Sequence, residues 1–387
     1  MTTPLIVSFG QRKTIMCTLP FVIVAWVTHA VTPNVWLLQV TRALLGISQG
    51  IHSYCLFTYV VEITHSKYRS TFCGAIDLVR QSGLLFIFCV GSSALHWRQV
   101  ALIAAFSGTI IPFVIFLFIP DSPRWLAVQN RIEDADKALV FFRGKKYDTK
   151  SELSHITTQL SESNVANDVL SQLGLIVKDR SILKRVLIMT YFSAANRLNG
   201  NVVIVSYSAM IFKAVPSSID EYSSTIMIGV ARVLAVLSYG IISMKLGRKT
   251  LATVPIFICG VCMIGMGTLS FLGKKGYNLP ILLWLPLILM MIYVFSICFS
   301  VSILNLYRSE LIPNSVRQVV GPCITIMAIF SFLTTYFFQT MIEYFGMYGT
   351  FWTFGINCIV SALMAYILLP ETKGKSLEEI DDAFRGK

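Results

Sequence analysis

Apolar residues in this chain gather into blocks of about 20, the length a helix needs to cross a bilayer at about 1.5 Å per residue. The blocks predict ten spans, near 14–32, 36–61, 71–95, 99–119, 184–212, 223–244, 251–273, 279–307, 318–342 and 347–369. The polar stretches between them alternate in charge. One set carries Arg12 and Lys13, Lys67 and Arg69, the segment 121–184, Lys245 with Arg248 and Lys249, Arg308 and Arg317, and Lys373 with Lys375. The other carries little beyond Arg98, Lys213, Lys274 and Lys275. Basic loops stay on the cytoplasmic side, so the first set and the C-terminus are expected there. Within 121–184, the apolar spacing at 132–144 predicts a helix with an acidic start, and 152–160 a second short one. This segment reads as a solvated bracket between two halves, with a docking site for a regulatory partner as the alternative.

A longer-range pattern supports two halves. Glu62 is followed seven residues later by Arg69, and Glu310 seven residues later by Arg317. Each pair follows a short basic turn, at 9–13 and 246–250, and precedes a span ending in Pro plus acid, Pro120-Asp121 and Pro370-Glu371. Three landmarks in one order describe a duplicated membrane half, the way secondary transporters build two bundles that rock about a central site. Four spans precede Glu310 in its half but only two precede Glu62. Equivalence of the halves therefore predicts two more spans before residue 10, with residues 1–8 the tail of the second. The expected organisation is a first bundle at 1–120, a cytoplasmic helical linker at 121–184, a six-helix bundle at 185–370 and a cytoplasmic tail at 371–387.

Composition agrees. A chain 55% hydrophobic and 13% charged, with mean hydropathy +0.68, is not an ordinary soluble domain. Its net charge of +12 sits in clusters between apolar runs, the footprint of loops and not of a nucleic-acid face. Cys259 and Cys262 form a lone CxxC inside an apolar run, so they read as core residues and not metal ligands. Met1 is followed almost at once by a basic turn, unlike a secretory leader. His29, His52, His65, His96 and His155 are dispersed, and no nucleophile–base set or phosphate loop is visible. No enzyme, cofactor or metal is expected.

Arg42-x3-Gly46-x3-Gly50, Tyr59-x2-Glu62-x6-Arg69, PDSPRWL at 120–126 and PETKGKSLEEI at 370–380 resemble the sugar porter family of the major facilitator superfamily. The layout from Trp97 to Trp125 is similar to its insect facilitated trehalose transporter-like branch. The resemblance implies an all-α membrane protein of two six-helix bundles, here with ten of the usual twelve helices, working by alternating access on a sugar. It assigns gating to the positions of Arg42, Glu62, Arg69, Arg248, Glu310 and Arg317. An exposed ion pair contributes only about 0–1 kcal/mol, which suits a latch that must open thermally. The other reading is that these charges only set topology.

A neutral sugar is recognised by side chains that hydrogen-bond its hydroxyls and by aromatic faces that cover its CH surface. The family places a Gln pair and an Asn on its seventh helix. The matching stretch here, 194–208, has Asn196 and Arg197 for the pair and Val202 for the Asn; Tyr207 stays, and Asn199 and Asn201 flank Gly200. Polar residues this deep in a span line water or substrate, and Gly200 lets the helix unwind. Asp77, Arg80 and Arg232 are further charges in spans, where each facing lipid costs about 2.5–3.5 kcal/mol. Asp77 can pair with Arg80 at i,i+3 or with Arg197 across the bundles. Where the family has Gly-Pro-x-Pro-Trp on its tenth helix, this chain has Val301 to Asn305. The expected substrate site is Asp77, Arg80, Asn196, Arg197, Asn199 and Tyr207. Facilitated transport of trehalose or a hexose in the plasma membrane is the expected function, with the solute and the lipid bilayer as partners and no nucleic acid. The alternatives are a relative shifted toward an anionic or polar solute, and a non-transporting sensor or degenerate copy.

Overall fold

The computed structural model describes residues 2–65, 69–93, 95–144, 147–163, 174, 176, 178–214, 220–276, 284–312, 316, 320–321 and 326–373. The regular elements among them are helices, in two compact units, Met1–Asn167 and Asp168–Lys387.

In the first unit, α1 (Thr2–Val31) is interrupted at Gly10, whose φ of 79° is open to glycine and costly for other residues. A Cβ there would also meet the Trp125 ring at 3.0 Å. Asn34 starts α2 (Val35–Ile63) by accepting from the Trp36 amide, and α1 packs along it. Next come α3 (Arg69–Gly91) and a span of three pieces: α4 (Trp97–Ala105), a π-helical turn at Phe106–Ile110 and α5 (Ile111–Phe118). Pro112 in the first turn of α5 has no N–H to give the preceding turn, which fits the local widening. Ser122 caps α6 (Pro123–Val128), followed by α7 (Ile132–Arg143) and α8 (Thr149–Ser163). These three bury Trp125, Leu126, Ala135, Ala138, Leu139 and Leu153 among themselves. The helices expected near 132–144 and 152–160 are α7 and α8.

The second unit comprises α9 (Arg180–Arg197), α10 (Asn201–Ala214), α11 (Glu221–Lys245), α12 (Arg248–Lys274), α13 (Leu285–Leu311), α14 (Ala328–Tyr336) and α15 (Phe338–Leu368). Small residues let α12 and α15 approach closely: a Cβ on Gly260 would lie 3.1 Å from the Gly355 carbonyl, and one on Gly355 3.1 Å from the Gly260 carbonyl. Met263, Met266, Tyr293 and Phe351 fill the core beside them.

Among the described residues eight helices are long and apolar enough to cross a membrane: 8–31, 35–63, 74–91, 97–118, 221–245, 248–274, 285–308 and 338–368. Two expected spans turn out differently. The block 184–212 is two helices with a break between them. The block 318–342 starts among residues outside those described and then holds α14, while α15 runs from Phe338 across the expected boundary. Gly346, at φ 70°, makes that boundary a kink inside one helix and not a loop.

Candidate functional site

Each unit carries a lock at the end of its spans where the basic residues gather. In the first, Tyr59 and Glu62 lie one turn apart on α2 and share a face. Tyr59 donates its hydroxyl to the Pro120 carbonyl at 2.6 Å. Glu62 accepts from Gln11 Nε2 at 2.8 Å and from the hydroxyl of Ser122, which also caps α6. Arg12 caps the end of α5, donating to the carbonyls of Phe116 and Leu117 at 2.9 and 3.0 Å, with Asp121 at 3.8 Å. Arg143, at the end of α7, donates to the Ile63 carbonyl at 2.7 Å and holds Glu152 with two bonds of 3.0 and 2.8 Å. That fork keeps the Glu152 carboxyl below the usual carboxylate range.

The second unit repeats the arrangement in outline. Tyr307 donates to the Pro370 carbonyl at 2.8 Å. Glu310, one turn on, pairs with the Arg248 guanidinium. Glu371 accepts from the amides of Arg248, Lys249 and Lys373 at 2.9, 3.2 and 2.9 Å, serving as the N-terminal cap that Gly247 cannot supply. A Cβ on Gly247 would meet Glu371 Oε2 at 2.5 Å. Burial raises the Glu371 carboxyl, but the backbone amides together outweigh it and hold it below its ordinary value. Lys373 caps α11 through the carbonyls of Met244 and Lys245, both at 2.9 Å, as Arg12 caps α5.

A second feature lies midway between α9 and α10. Leu198 ends α9, and Gly200 takes φ 85° with Phe354 packed where a Cβ would go, 2.7 Å away. The freed backbone groups find partners, as they must in a membrane. Asn357 Nδ2 donates to the Ala195 carbonyl at 3.0 Å, and the Tyr293 hydroxyl to the Asn199 carbonyl at 3.0 Å. Asn199 Oδ1 accepts from the Asn201 amide at 3.0 Å while its Nδ2 donates to Asn196 Oδ1 at 2.7 Å. Arg232, 6% exposed, donates to Asn201 Oδ1 at 3.0 Å. Beside the break is a cavity of about 10 Å³, lined partly by Asn196, Asn199, Ser300 and Ser361, with room for about one water and none for a sugar ring.

The structure places the expected residues unevenly. In the first unit Asp77 pairs with Arg80 at 2.9 Å, the i,i+3 option, and both are well exposed. In the second, Asn196, Arg197, Asn199 and Tyr207 gather at or near the break. Asn199 is 4% exposed and both ends of its side chain are used internally. Tyr207 packs against Phe338, the rings tilted by 34° with centres 4.9 Å apart. Glu62, Glu310 and Arg248 belong to the locks. Arg42 sits near the opposite end of α2, about 30 Å from Glu62 at 1.5 Å per residue, and shares no contact with it. The Arg69 side chain and all of Arg317 lie outside the described residues. Sequence reasoning missed Ser122, Tyr293, Tyr307 and Asn357 as working residues, and reached Gln11 only as part of the first basic turn. The repeated Tyr-x2-Glu was a signal for Tyr307; for Tyr293, one aromatic in an apolar run, there was none.

Comparisons with known proteins bear on the family and the fold. A match to the family described as "Sugar (and other) transporter" runs over residues 1–384. The facilitated trehalose transporter Tret1 of Polypedilum vanderplanki is 31% identical over 99% of this chain and 76% of that protein. That of Bombyx mori is 32% identical over 98% of this chain and 74% of its own length. The Anopheles gambiae protein of the same name is 30% identical over 99% of this chain, which spans about half (48%) of that longer relative. Among solved structures, the inward-open xylose transporter XylE from E. coli superposes with a TM-score of 0.76, covering 99% of this chain and 84% of XylE at 20% identity. Its partially occluded inward-open form gives 0.75, over 96% and 83%. At that identity the likeness is one of fold.

Proposed function

The chain belongs to the sugar transporter family, and from that premise we propose that it carries a sugar across a membrane by alternating access. It is a multi-pass integral membrane protein of the major facilitator fold, and its family is one of transporters and not of enzymes. Trehalose is the first solute to test, because its relatives are facilitated trehalose transporters, with a hexose second.

The observation that carries this reading is the lock built twice, once per unit, from Tyr, Glu, a basic turn and a Pro-acid corner. A fold that served only to sit in lipid has no need of two matching charged latches. Latches worth about 1 kcal/mol or a little more bias two states without freezing either. In this reading Glu62, Arg69, Arg248, Glu310 and Arg317 gate the cytoplasmic side, Arg42 acts at the other end of its span, and the C-terminus is cytoplasmic in the plasma membrane. Within the first unit Asp77 and Arg80 serve as solute ligands, and within the second Asn196, Arg197 and Tyr207 do, while Asn199 holds the break. Residues 1–120, 121–184, 185–370 and 371–387 serve as first bundle, cytoplasmic linker, second bundle and cytoplasmic tail.

Counterflow of labelled trehalose and glucose into liposomes holding the purified chain tests this. Saturable exchange of either supports it. A folded, correctly inserted chain that exchanges neither is the non-transporting relative.

A further inference from the structure

Polar side chains from two neighbouring helices gather around the break between α9 and α10. On α13, Tyr293 and Ser300 lie two turns apart on one face, and on α15, Asn357 and Ser361 lie one turn apart. Tyr293 donates to the Asn199 carbonyl, Asn357 to the Ala195 carbonyl, and Ser361 to the Asn357 carbonyl at 2.6 Å. Ser300 differs. It is 1% exposed, and its hydroxyl has no hydrogen-bond partner among the described residues. A buried helical serine ordinarily turns its hydroxyl back to the carbonyl four residues earlier, as Ser193 and Ser361 do here. Ser300 forgoes that bond and lines the cavity beside the break, with Asn196, Asn199, Cys358 and Ser361. A buried hydroxyl left unbonded is costly. A cavity of about 10 Å³ has room for about one water, which is held when roughly two to four polar groups can bond it.

We propose that this cavity is a binding site for one water molecule, which ties α13 and α15 to the break. Ser300 donates its O–H to the water. The water donates to Ser361 Oγ, whose own proton is on the Asn357 carbonyl, and to the second lone pair of Asn196 Oδ1, whose first accepts from Asn199. The bridge does for the side chains at the break what Tyr293 and Asn357 do for its carbonyls. A water, unlike a side chain, can leave and return without a helix moving, so the turn at 196–200 can loosen and re-form without stranding a polar group in the membrane. The site goes beyond the sugar reading and stands whether or not a sugar is carried.

X-ray radiolysis of the purified chain in detergent tests this, with methionine amide added to quench radicals in bulk. Radicals born from a bound water attack the side chains that touch it. Cys358 and Phe192 line the cavity and are each 1% exposed, whereas Met263, 0% exposed, is buried in the same unit and does not line it. In the wild type Cys358 and Phe192 are expected to be oxidised several-fold faster than Met263. Ser300→Val fills the space and removes the donor, and is expected to bring Cys358 down to the Met263 level. Should Ser300→Val fail to fold, the unfolding midpoint of Ser300→Ala makes a second comparison. A hydroxyl bonded to water is missed, so the midpoint falls; an unbonded hydroxyl in a dry cavity is better absent, so the midpoint holds or rises. Equal oxidation of Cys358 and Met263, oxidation of Cys358 unchanged by Ser300→Val, or a Ser300→Ala midpoint at or above wild type overturns the bound water. Trehalose counterflow in the same preparations reports on the transport reading separately, so the two can fail independently.

Discussion

A tyrosine hydroxyl that ends on a proline carbonyl does two jobs in this chain, once per unit. It satisfies a carbonyl at the end of a span, where the helix offers no further N–H, and it fixes the acid that follows the proline. Tyr59→Phe and Tyr307→Phe keep the ring and leave each carbonyl unpaired, so each is expected to destabilise its unit by about 1–3 kcal/mol. Unfolding midpoints in detergent check this, and a neutral result at both positions means the hydroxyls are dispensable. The acid after the second proline gives a pH prediction. Glu371 has its carboxyl held below the ordinary value, so the native state binds its proton less readily than the unfolded chain. Its contribution is complete above the unfolded value of about 4.3 and is lost as pH falls through the lower folded value. Glu371→Gln is therefore expected to lower the midpoint at pH 7, with the gap to wild type closing below pH about 4. A gap that stays constant down the acid limb contradicts the assignment.

At the scale of the element, the break between α9 and α10 is held by residues from other helices. Asn357 on α15 and Tyr293 on α13 reach its carbonyls, while Phe354 fills the space that only glycine leaves open at position 200. Asn357→Leu retains volume and removes the donor to Ala195. Faster amide hydrogen exchange is expected across 196–201, with α12 and the rest of α15 unchanged. Uniform acceleration across the unit would instead mark a general loss of packing. This element also shows what the sequence carries. The spans were legible because a bilayer demands long apolar blocks and basic loops, and both demands are written locally. The break was half legible: Gly200 among asparagines announced it, but its partners lie about 90 and 160 residues away in sequence and bond through backbone carbonyls that no side-chain pattern encodes. The predicted boundary near 342–347 failed as a loop for a related reason. A single glycine bends α15 there without ending it, and composition does not distinguish a kink from a turn. Asn199 illustrates the same limit. Its polarity flagged it as a ligand for substrate, yet the break itself uses its carbonyl and both ends of its amide.

For the molecule as a whole, the two locks match in outline and differ in strength. Glu62 is held by the neutral donors Gln11 and Ser122, with Arg124 attracting it from longer range, whereas Glu310 is held by a guanidinium. Both carboxylates make charge-assisted hydrogen bonds, but only Glu310 also gains the attraction of a full opposite charge in contact, and that attraction is screened by salt. If the locks gate transport, they contribute unequally to the closed state. Glu310→Gln is then expected to change the trehalose counterflow rate more than Glu62→Gln, and salt near 1 M should move the wild type toward Glu310→Gln. Gln11→Arg offers a converse measurement, because Gln11 aligns with Arg248 as the residue after the glycine of each basic turn. Giving the first lock a guanidinium is expected to slow counterflow and restore salt sensitivity in a Glu310→Gln background. Equal rates for Glu62→Gln and Glu310→Gln, unaffected by salt, would mean the locks hold each unit together without setting the pace of exchange.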